Sequence, residues 1–331
     1  MDPDPIDYAP PQVHSPQTMP PFHLALTAER QNSPTRLDVW LSANVSDLSR
    51  RRAQRLILSG SVTLNGGYAR KSDMVKEDDL VEIHMDPAPK NWTALPEPQL
   101  DFETVYVDAD LLAVVKPPGV PTVPLSPNEP GTLAGAIASR FPECATIGRR
   151  SGDSGLIHRL DTETSGLLVA ARNAETFERL LEMQRNDQIE KRYAALVKPT
   201  GDRLPPVIDF PLGPTDRGGR KVRRDPSGTP ATTLVRPVEE HGEFLLVEAT
   251  IHRGLRHQIR AHLAHAGFPI VDDPLYGDAT VNGPGRMFLH ATSIVMRHPG
   301  DRNRDLHPES PLPKNLAEFL KDLDFKLSGS R

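Results

Sequence analysis

The spacing of apolar residues changes along this chain, and each change marks a different kind of element. Residues 1–34 show almost no apolar periodicity and hold eight prolines. They bury too little surface to offset the entropy of ordering and are expected to form a disordered tail. From Thr35 the pattern is helical: Leu37 and Leu41 lie one turn apart beside Trp40, and Ser49 is placed to cap a second helix running through Leu56 and Ile57 to Gly60. The period then becomes two. Val62-Thr63-Leu64 reads as a strand, Asn65-Gly66-Gly67 as a tight turn, and Val81, Ile83 and Met85 alternate with polar residues. Residues 35–86 are thus expected to form a small α/β domain.

A Pro-rich stretch follows, DPAPKNWTALPEPQ from Asp86 to Gln99. Each proline there fixes φ and removes a backbone donor, so residues 87–100 have the composition of an extended linker. Beyond it strand patterns recur at Val105–Val107, Leu111–Lys116, Thr164–Ala171, Tyr193–Val197, Leu234–Val238, Phe244–Ile251 and Met287–Met296. Helical patterns run from an Asn173 cap to Asn186, with Phe177, Leu180, Leu181 and Met183 on the apolar side, and from Arg256 to Ala266. Because strands often follow strands, residues 101–325 are expected to be α+β: a mixed, largely antiparallel sheet with flanking helices, not a doubly wound one.

Length agrees with a division in two, since 331 residues exceed the usual single domain. The net charge of −5 excludes a polycation that coats nucleic acid by bulk attraction, so any such binding needs local patches. A single cysteine, Cys144, excludes an intrachain disulfide and a Cys-rich zinc site. No apolar run approaches the roughly 18 residues of a membrane helix. The N-terminus lacks the layout of a secretion signal, and a cytoplasmic monomer is expected.

Charge within the small domain is segregated. Arg36 to Lys71 holds seven basic residues against Asp38 and Asp47. Arg50, Arg51 and Arg52 fall in the first turn of the second helix, where the macrodipole prefers anions, and Arg55 follows one turn later. Arginines beside free helix amides suit an RNA phosphate, although a solvated basic face would read the same.

Four segments of the large domain carry candidate chemistry. GLIHRLDTETSGLLVAA, Gly155–Ala171, sets His158, Arg159 and Asp161 at the mouth of an apolar strand, with small polar residues behind the aspartate. An Asx-turn would leave the same trace, and Glu163 points the other way in an extended segment, which disfavours a glycosidase pair. RGLRHQIRAHLAHAG, Arg253–Gly267, puts Arg256 and Arg260 at helical spacing, likewise Gln258 and His262, with Ile259, Leu263 and Ala266 as the apolar face. Its histidines lack an HExxH pattern, so no metal is assigned. KRYAALV places Tyr193 on a strand, as a core ring or one stacked on a base. DRGGRKVRRD, Asp216–Asp225, reads as a cationic hairpin or a solvated loop.

RLDVWL and RRRAQRLILSGSVTLNG resemble the ribosomal-protein-S-four-like RNA-binding domain. DADLLAVVKPPGVPTVP, HRLDTETSGLL, KRYAALV and HQIRAHLAHAGFPIVDDPLYG together resemble the RluA-type pseudouridine synthases over nearly all of the large domain. That resemblance implies Asp161 as the catalytic aspartate, Tyr193 as the base-stacking tyrosine and Arg260 as the arginine paired with the aspartate. His158, Arg159, Arg256, His257 and Gln258 are then expected to contact RNA, as are Arg50, Arg51, Arg52 and Arg55. The chain departs from the family in having Leu255 where an arginine is usual and Asp272 where a glycine is usual. The implied reaction is an isomerisation without net redox change or group donor, so no cofactor is expected. Among such enzymes the attached RNA-binding domain points to large-subunit ribosomal RNA, with transfer RNA as the alternative. The rivals are a non-catalytic ribosome-assembly factor, which would have lost Asp161 or Tyr193, and a metal-dependent hydrolase built on the C-terminal histidines.

Overall fold

The computed structural model describes residues 22–29, 33–45, 48, 50–85, 92–201, 203–215, 221–277 and 283–326. The chain divides into two compact units, Met1–Lys90 and Asn91–Arg331. Among the described residues no helix is long and apolar enough to cross a membrane.

The first unit comprises β1 (Phe22–Thr27), β2 (Thr35–Arg36), α1 (Leu37–Asn44), α2 (Arg50–Leu58), β3 (Val62–Leu64), β4 (Gly67–Tyr68), β5 (Met74–Val75) and β6 (Leu80–Met85). Strands pair in the order β1-β6-β3-β4, with β2 and β5 forming a separate pair. Leu37, Trp40 and Leu41 of α1 and Ala53 and Ile57 of α2 meet Val62, Val81 and Ile83 in one core. Asn65 and Gly66 both have positive φ, 52° and 74°, which closes the β3–β4 hairpin. The stretch expected as a disordered tail, residues 1–34, includes a described strand. Within it β1 pairs antiparallel with β6, Leu24 opposite Ile83 and Leu26 opposite Val81. Its alternating FHLALT pattern is only six residues long and sits among prolines that suggest a coil.

The second unit comprises β7 (Glu103–Val107), β8 (Leu111–Lys116), α3 (Leu133–Arg140), a 3-10 turn (Pro142–Cys144), β9 (Ser165–Ala171), α4 (Ala174–Arg185) and β10 (Glu190–Val197). There follow β11 (Val207–Asp209), β12 (Leu212–Pro214), β13 (Val222–Arg224), β14 (Thr232–His241), β15 (Phe244–Ile251), α5 (Gln258–His265), β16 (Leu289–His298), β17 (Asp301–Leu306) and α6 (Lys314–Asp322). One large sheet runs β11-β14-β15-β10-β16-β9-β8-β7, with β17 also on β16. Its β16–β9 pair is parallel and its other pairs are antiparallel. The mixed, largely antiparallel α+β architecture is therefore present. Both faces are covered: Leu112, Val114, Leu168 and Ala170 face one core and Leu111, Ala113, Leu167 and Val169 the other. That is why β8 and β9 read as continuous apolar runs.

Two expectations need correction here. Residues 92–100 are not an extended linker but lie against α3: Ala94 is buried, Glu97 N–H donates to Gly135 O, and its carboxylate accepts from Gly131 N. Gly135 permits this, because a Cβ there would come within 2.2 Å of Leu95 O. The second correction concerns α5, which starts at Gln258 and not at Arg256, since His257 is left-handed with φ 54°. Arg256 and Arg260 therefore do not share a helical face.

Two devices hold the centre of this sheet and α5 in place. Gly166 on β9 has φ +117°, and a Cβ there would lie 2.3 Å from Ala291 O and 2.5 Å from Ala291 N on β16. Only glycine allows the two strands to meet at that register. On α5, Gln258 Nε2 donates to Thr233 Oγ1, which lies 2.9 Å from His262 Nδ1, while His262 Nε2 lies 3.2 Å from Phe210 O. This chain fits a neutral His262 that donates from Nε2. His290 is similarly enclosed between Ser165 Oγ and Ser310 O.

Gly166→Ala is expected to cost about 3 kcal/mol of stability through strand separation and strained φ, read from the denaturation midpoint. Burial draws both His262 and His290 from 6.5 down to about 4. Below pH 6.5 the unfolded chain takes up protons that the folded chain refuses. Stability should thus be full above that pH and fall progressively towards pH 4. A flat thermal midpoint across this window would contradict the assignment.

Candidate active site

Asp161 sits in the turn that leads into β9, where Thr164 N–H donates back to Asp161 O at 3.1 Å. The turn is tied to the end of β8. Lys116, fully buried, donates from Nζ to Pro117 O, Val120 O and Thr162 O at 2.7, 2.7 and 2.9 Å, and Gly119 N–H also donates to Thr162 O. Burial draws this lysine down to about 7, against the pull of Glu163 and Asp161. In the sequence Lys116 reads only as the end of a strand, and its part in the site is not visible there. A lysine before a Pro-Pro-Gly turn is the trace it leaves.

Across from the turn, α5 presents Arg260. All three guanidinium nitrogens are committed: Nη1 donates to Asp161 Oδ2 at 2.7 Å, and Nε and Nη2 donate to Asp273 Oδ2 and Oδ1, both at 2.7 Å. Asp273 is buried and also accepts from the N–H groups of Leu275 and Tyr276. The Tyr276 ring lies 5.3 Å from the guanidinium carbon, in cation–π range. Burial opposes the charge on Arg260, yet Asp273 and Asp161 outweigh it and push its pKa above the usual arginine value. Asp273 was not among the expected site residues, although it is the second acid of DDPLYG. Asp272 beside it takes φ 55°, a conformation that suits the family's glycine, and its carboxylate accepts from Gly285 N–H.

Tyr193, 5 % exposed, comes up from β10, where it stands opposite Ala291, the same β16 residue that faces Gly166. Burial raises its hydroxyl pKa, and the Asp161 charge raises it further. Asp161, Tyr193, Arg260, His257, Ile251 and Leu289 line one small chamber of about 50 Å³. Thr164 lines it too, and its hydroxyl is buried with no hydrogen-bond partner among the described residues.

The expected RNA contacts fall into distinct places. Arg159 is exposed beside the chamber, and Arg256 is exposed on the loop before α5. His257 turns inward, with Nε2 3.9 Å from Asp161 Oδ1 and Nδ1 3.1 Å from Tyr276 Oη, and burial lowers its pKa despite Asp161. Gln258 requires correction: it is 3 % exposed and bonded to Thr232 O and Thr233 Oγ1, so it anchors α5. His158 is half-buried; its Nε2 accepts from Val169 N–H and burial holds its pKa well below normal. Arg50 Nε donates to the buried Asp38 carboxylate at 2.9 Å. Burial resists ionisation of Asp38, but hydrogen bonds from Arg36, Gln54 and Arg50 prevail and hold it at about 2. An internal acid thus offsets part of the unfavourable charge at the start of α2. The side chains of Arg51, Arg52 and Arg55, the Ser49 cap and residues 216–220 lie outside the described residues.

The C-terminal histidines do not converge, being spent on separate hydrogen bonds or turned to Asp161. Among the described residues, potential metal donors cluster at Asp108, Asp110 and His298. There Asp108 is engaged by Tyr106, His298 and two main-chain N–H groups.

The model of the RNA pseudouridylate synthase family matches residues 110–265, and that of the S4 domain matches residues 35–81. The uncharacterized RNA pseudouridine synthase YlyB of Bacillus subtilis is 31 % identical over 302 residues, covering 90 % of this chain and 97 % of its own length. Ribosomal large subunit pseudouridine synthase D of Yersinia pestis is 30 % identical over 317 residues, covering 91 % and 94 %. In structure, human RNA pseudouridylate synthase domain containing 1 superposes with a TM-score of 0.52 at 24 % identity, over 66 % of this chain and 86 % of that one. These matches and the motifs around Asp161 lead to one conclusion: the chain belongs to the RluA-type RNA pseudouridine synthases with an N-terminal S4 domain, isomerases that act on RNA.

Proposed function

We propose that this protein isomerises uridines in large-subunit ribosomal RNA in the cytoplasm, with Asp161 as nucleophile and without a cofactor. One observation carries the reading: the Asp161 carboxylate is held by a buried guanidinium that is itself locked by a second carboxylate. The names of the relatives from Yersinia pestis and Xanthomonas campestris support the ribosomal target, each being 30 % identical to this chain.

The reaction breaks the bond between uracil N1 and the ribose anomeric carbon and joins that carbon to C5. The C5 proton is lost and N1 gains one, so no electrons or groups are imported. What the protein must supply is a carboxylate that stays ionised under an apolar base, and a surface against which the detached base can turn. Arg260 sets an opposite charge against Asp161 and engages one of its oxygens, Oδ2, so that the carboxylate is held in a fixed direction, with His257 Nε2 3.9 Å from Oδ1. Tyr193 offers a ring that stays protonated at neutral pH, suited to packing on the extruded uracil. Arg159, exposed and without an ion-pair partner among the described residues, is placed to fill the vacated stack or hold a flanking phosphate.

Asp161→Asn should bind ribosomal RNA with near-normal affinity and show no pseudouridine formation; measurable turnover would remove the nucleophile assignment. Arg260→Lys is expected to lower kcat at least about a hundredfold despite the retained charge, because one ammonium cannot reproduce three directed hydrogen bonds. Activity within about threefold of the unaltered protein would show that the geometry of Arg260 is unimportant.

A further inference from the structure

A cavity of about 760 Å³ lies beside the Asp161 chamber, and Arg159, Tyr193 and Gly254 line both. Its rim carries Arg149, Arg150, Arg159 and Arg185, all exposed and none in an ion pair among the described residues. Arg253 also lines it but is taken up by Asp187. The floor is less charged than its composition suggests. Burial draws Lys191 down to about 8 with its ammonium bonded to His252 O, and His158 is held neutral. Asp153 is the carboxylate of the lining, and burial raises its pKa.

One wall is Trp92. Its main-chain N–H donates to Ser151 Oγ, and its indole occupies the space that a side chain at residue 152 would need. A Cβ on Gly152, where φ is +82°, would come within 2.5 Å of an indole carbon and 2.9 Å of Pro124 Cγ. The indole is only half-buried, unlike Trp40, which is 4 % exposed in the core of the first unit. A half-buried indole lining a cavity whose exposed guanidiniums make no ion pair among the described residues is the chemistry that takes a nucleobase together with its phosphates. A lone anion would use the cations and leave the indole idle.

We propose that Trp92 is the stacking platform for the nucleobase next to the target uridine, with Arg149, Arg150 and Arg185 holding the adjoining phosphates. This rests on the uridine-isomerising reading and deepens it: the target base enters the Asp161 chamber while its neighbour remains in the larger cavity. The stretch that joins the two units in sequence thereby contributes directly to substrate binding.

The chain has two tryptophans, so Trp40→Phe leaves Trp92 as the only one in the full-length protein. In that background with Asp161→Asn, a short oligouridylate should quench the tryptophan emission, whereas an abasic ribose-phosphate oligomer of equal length should bind without quenching. With protein-free large-subunit ribosomal RNA, Trp92→Ala should raise KM about tenfold and leave kcat within about twofold, and Trp92→Phe should restore KM. Gly152→Ala should reproduce the rise in KM by displacing the indole. An active wild-type enzyme with an unchanged KM in Trp92→Ala, or equal quenching by the abasic oligomer, would overturn the stacking role alone. Failure of the unaltered protein to isomerise any uridine would instead remove the reading on which it rests.

Discussion

A single guanidinium shared by two carboxylates sets the geometry of this protein's chemistry. Arg260 is 5 % exposed, and burying its charge is affordable only because Asp273 binds two of its nitrogens and Asp161 the third. The two acids have unequal duties. Asp273 is buried, saturated by main-chain donors and unable to react, so it acts as a fixed anchor. Asp161 keeps part of its surface and lines the chamber. An ion pair of this kind contributes little net stability, and its effect lies in fixing the direction of the Asp161 carboxylate.

The rest of the second unit can be understood as support for that triad. Asp161 precedes β9 at the point where the sheet turns parallel, and Gly166 lets β9 and β16 approach closely enough for Tyr193 on β10 to reach the same chamber. Lys116 ties the Asp161 turn to the β8 end through three carbonyls, so the turn is fixed from both sides. On the opposite wall Gln258 and His262 fasten α5 to Thr233 of β14, which in turn fixes Arg260.

Much of this was legible in the sequence where a local rule governs. Continuous apolar runs marked β8 and β9, and the Asn173 cap marked α4, with Asn173 Oδ1 accepting from Thr176 N–H as its position implies. Asp161, Tyr193 and Arg260 were found through motifs, and the fold brings them together. What escaped depends on non-local geometry. Asp273 meets Arg260 across a loop with no periodic spacing, and Lys116 looks like any strand-ending lysine until the carbonyls of two loops close on it. Gln258 looks like a polar candidate, yet backbone and hydroxyl partners from a distant segment absorb it. The start of α5 was misplaced because a left-handed His257 obeys the demands of the site and not helix propensity. Proline-rich composition hid both β1 and the packed stretch around Ala94, since composition reports average behaviour and not a particular docking face.

The most direct test of the central claim is a map of pseudouridines in large-subunit ribosomal RNA from cells lacking this protein, complemented with either the unaltered chain or Asp161→Asn. Defined uridines should lose the modification on deletion and regain it with the unaltered chain alone. Restoration by the Asp161→Asn chain, or a map unchanged by deletion, would contradict it.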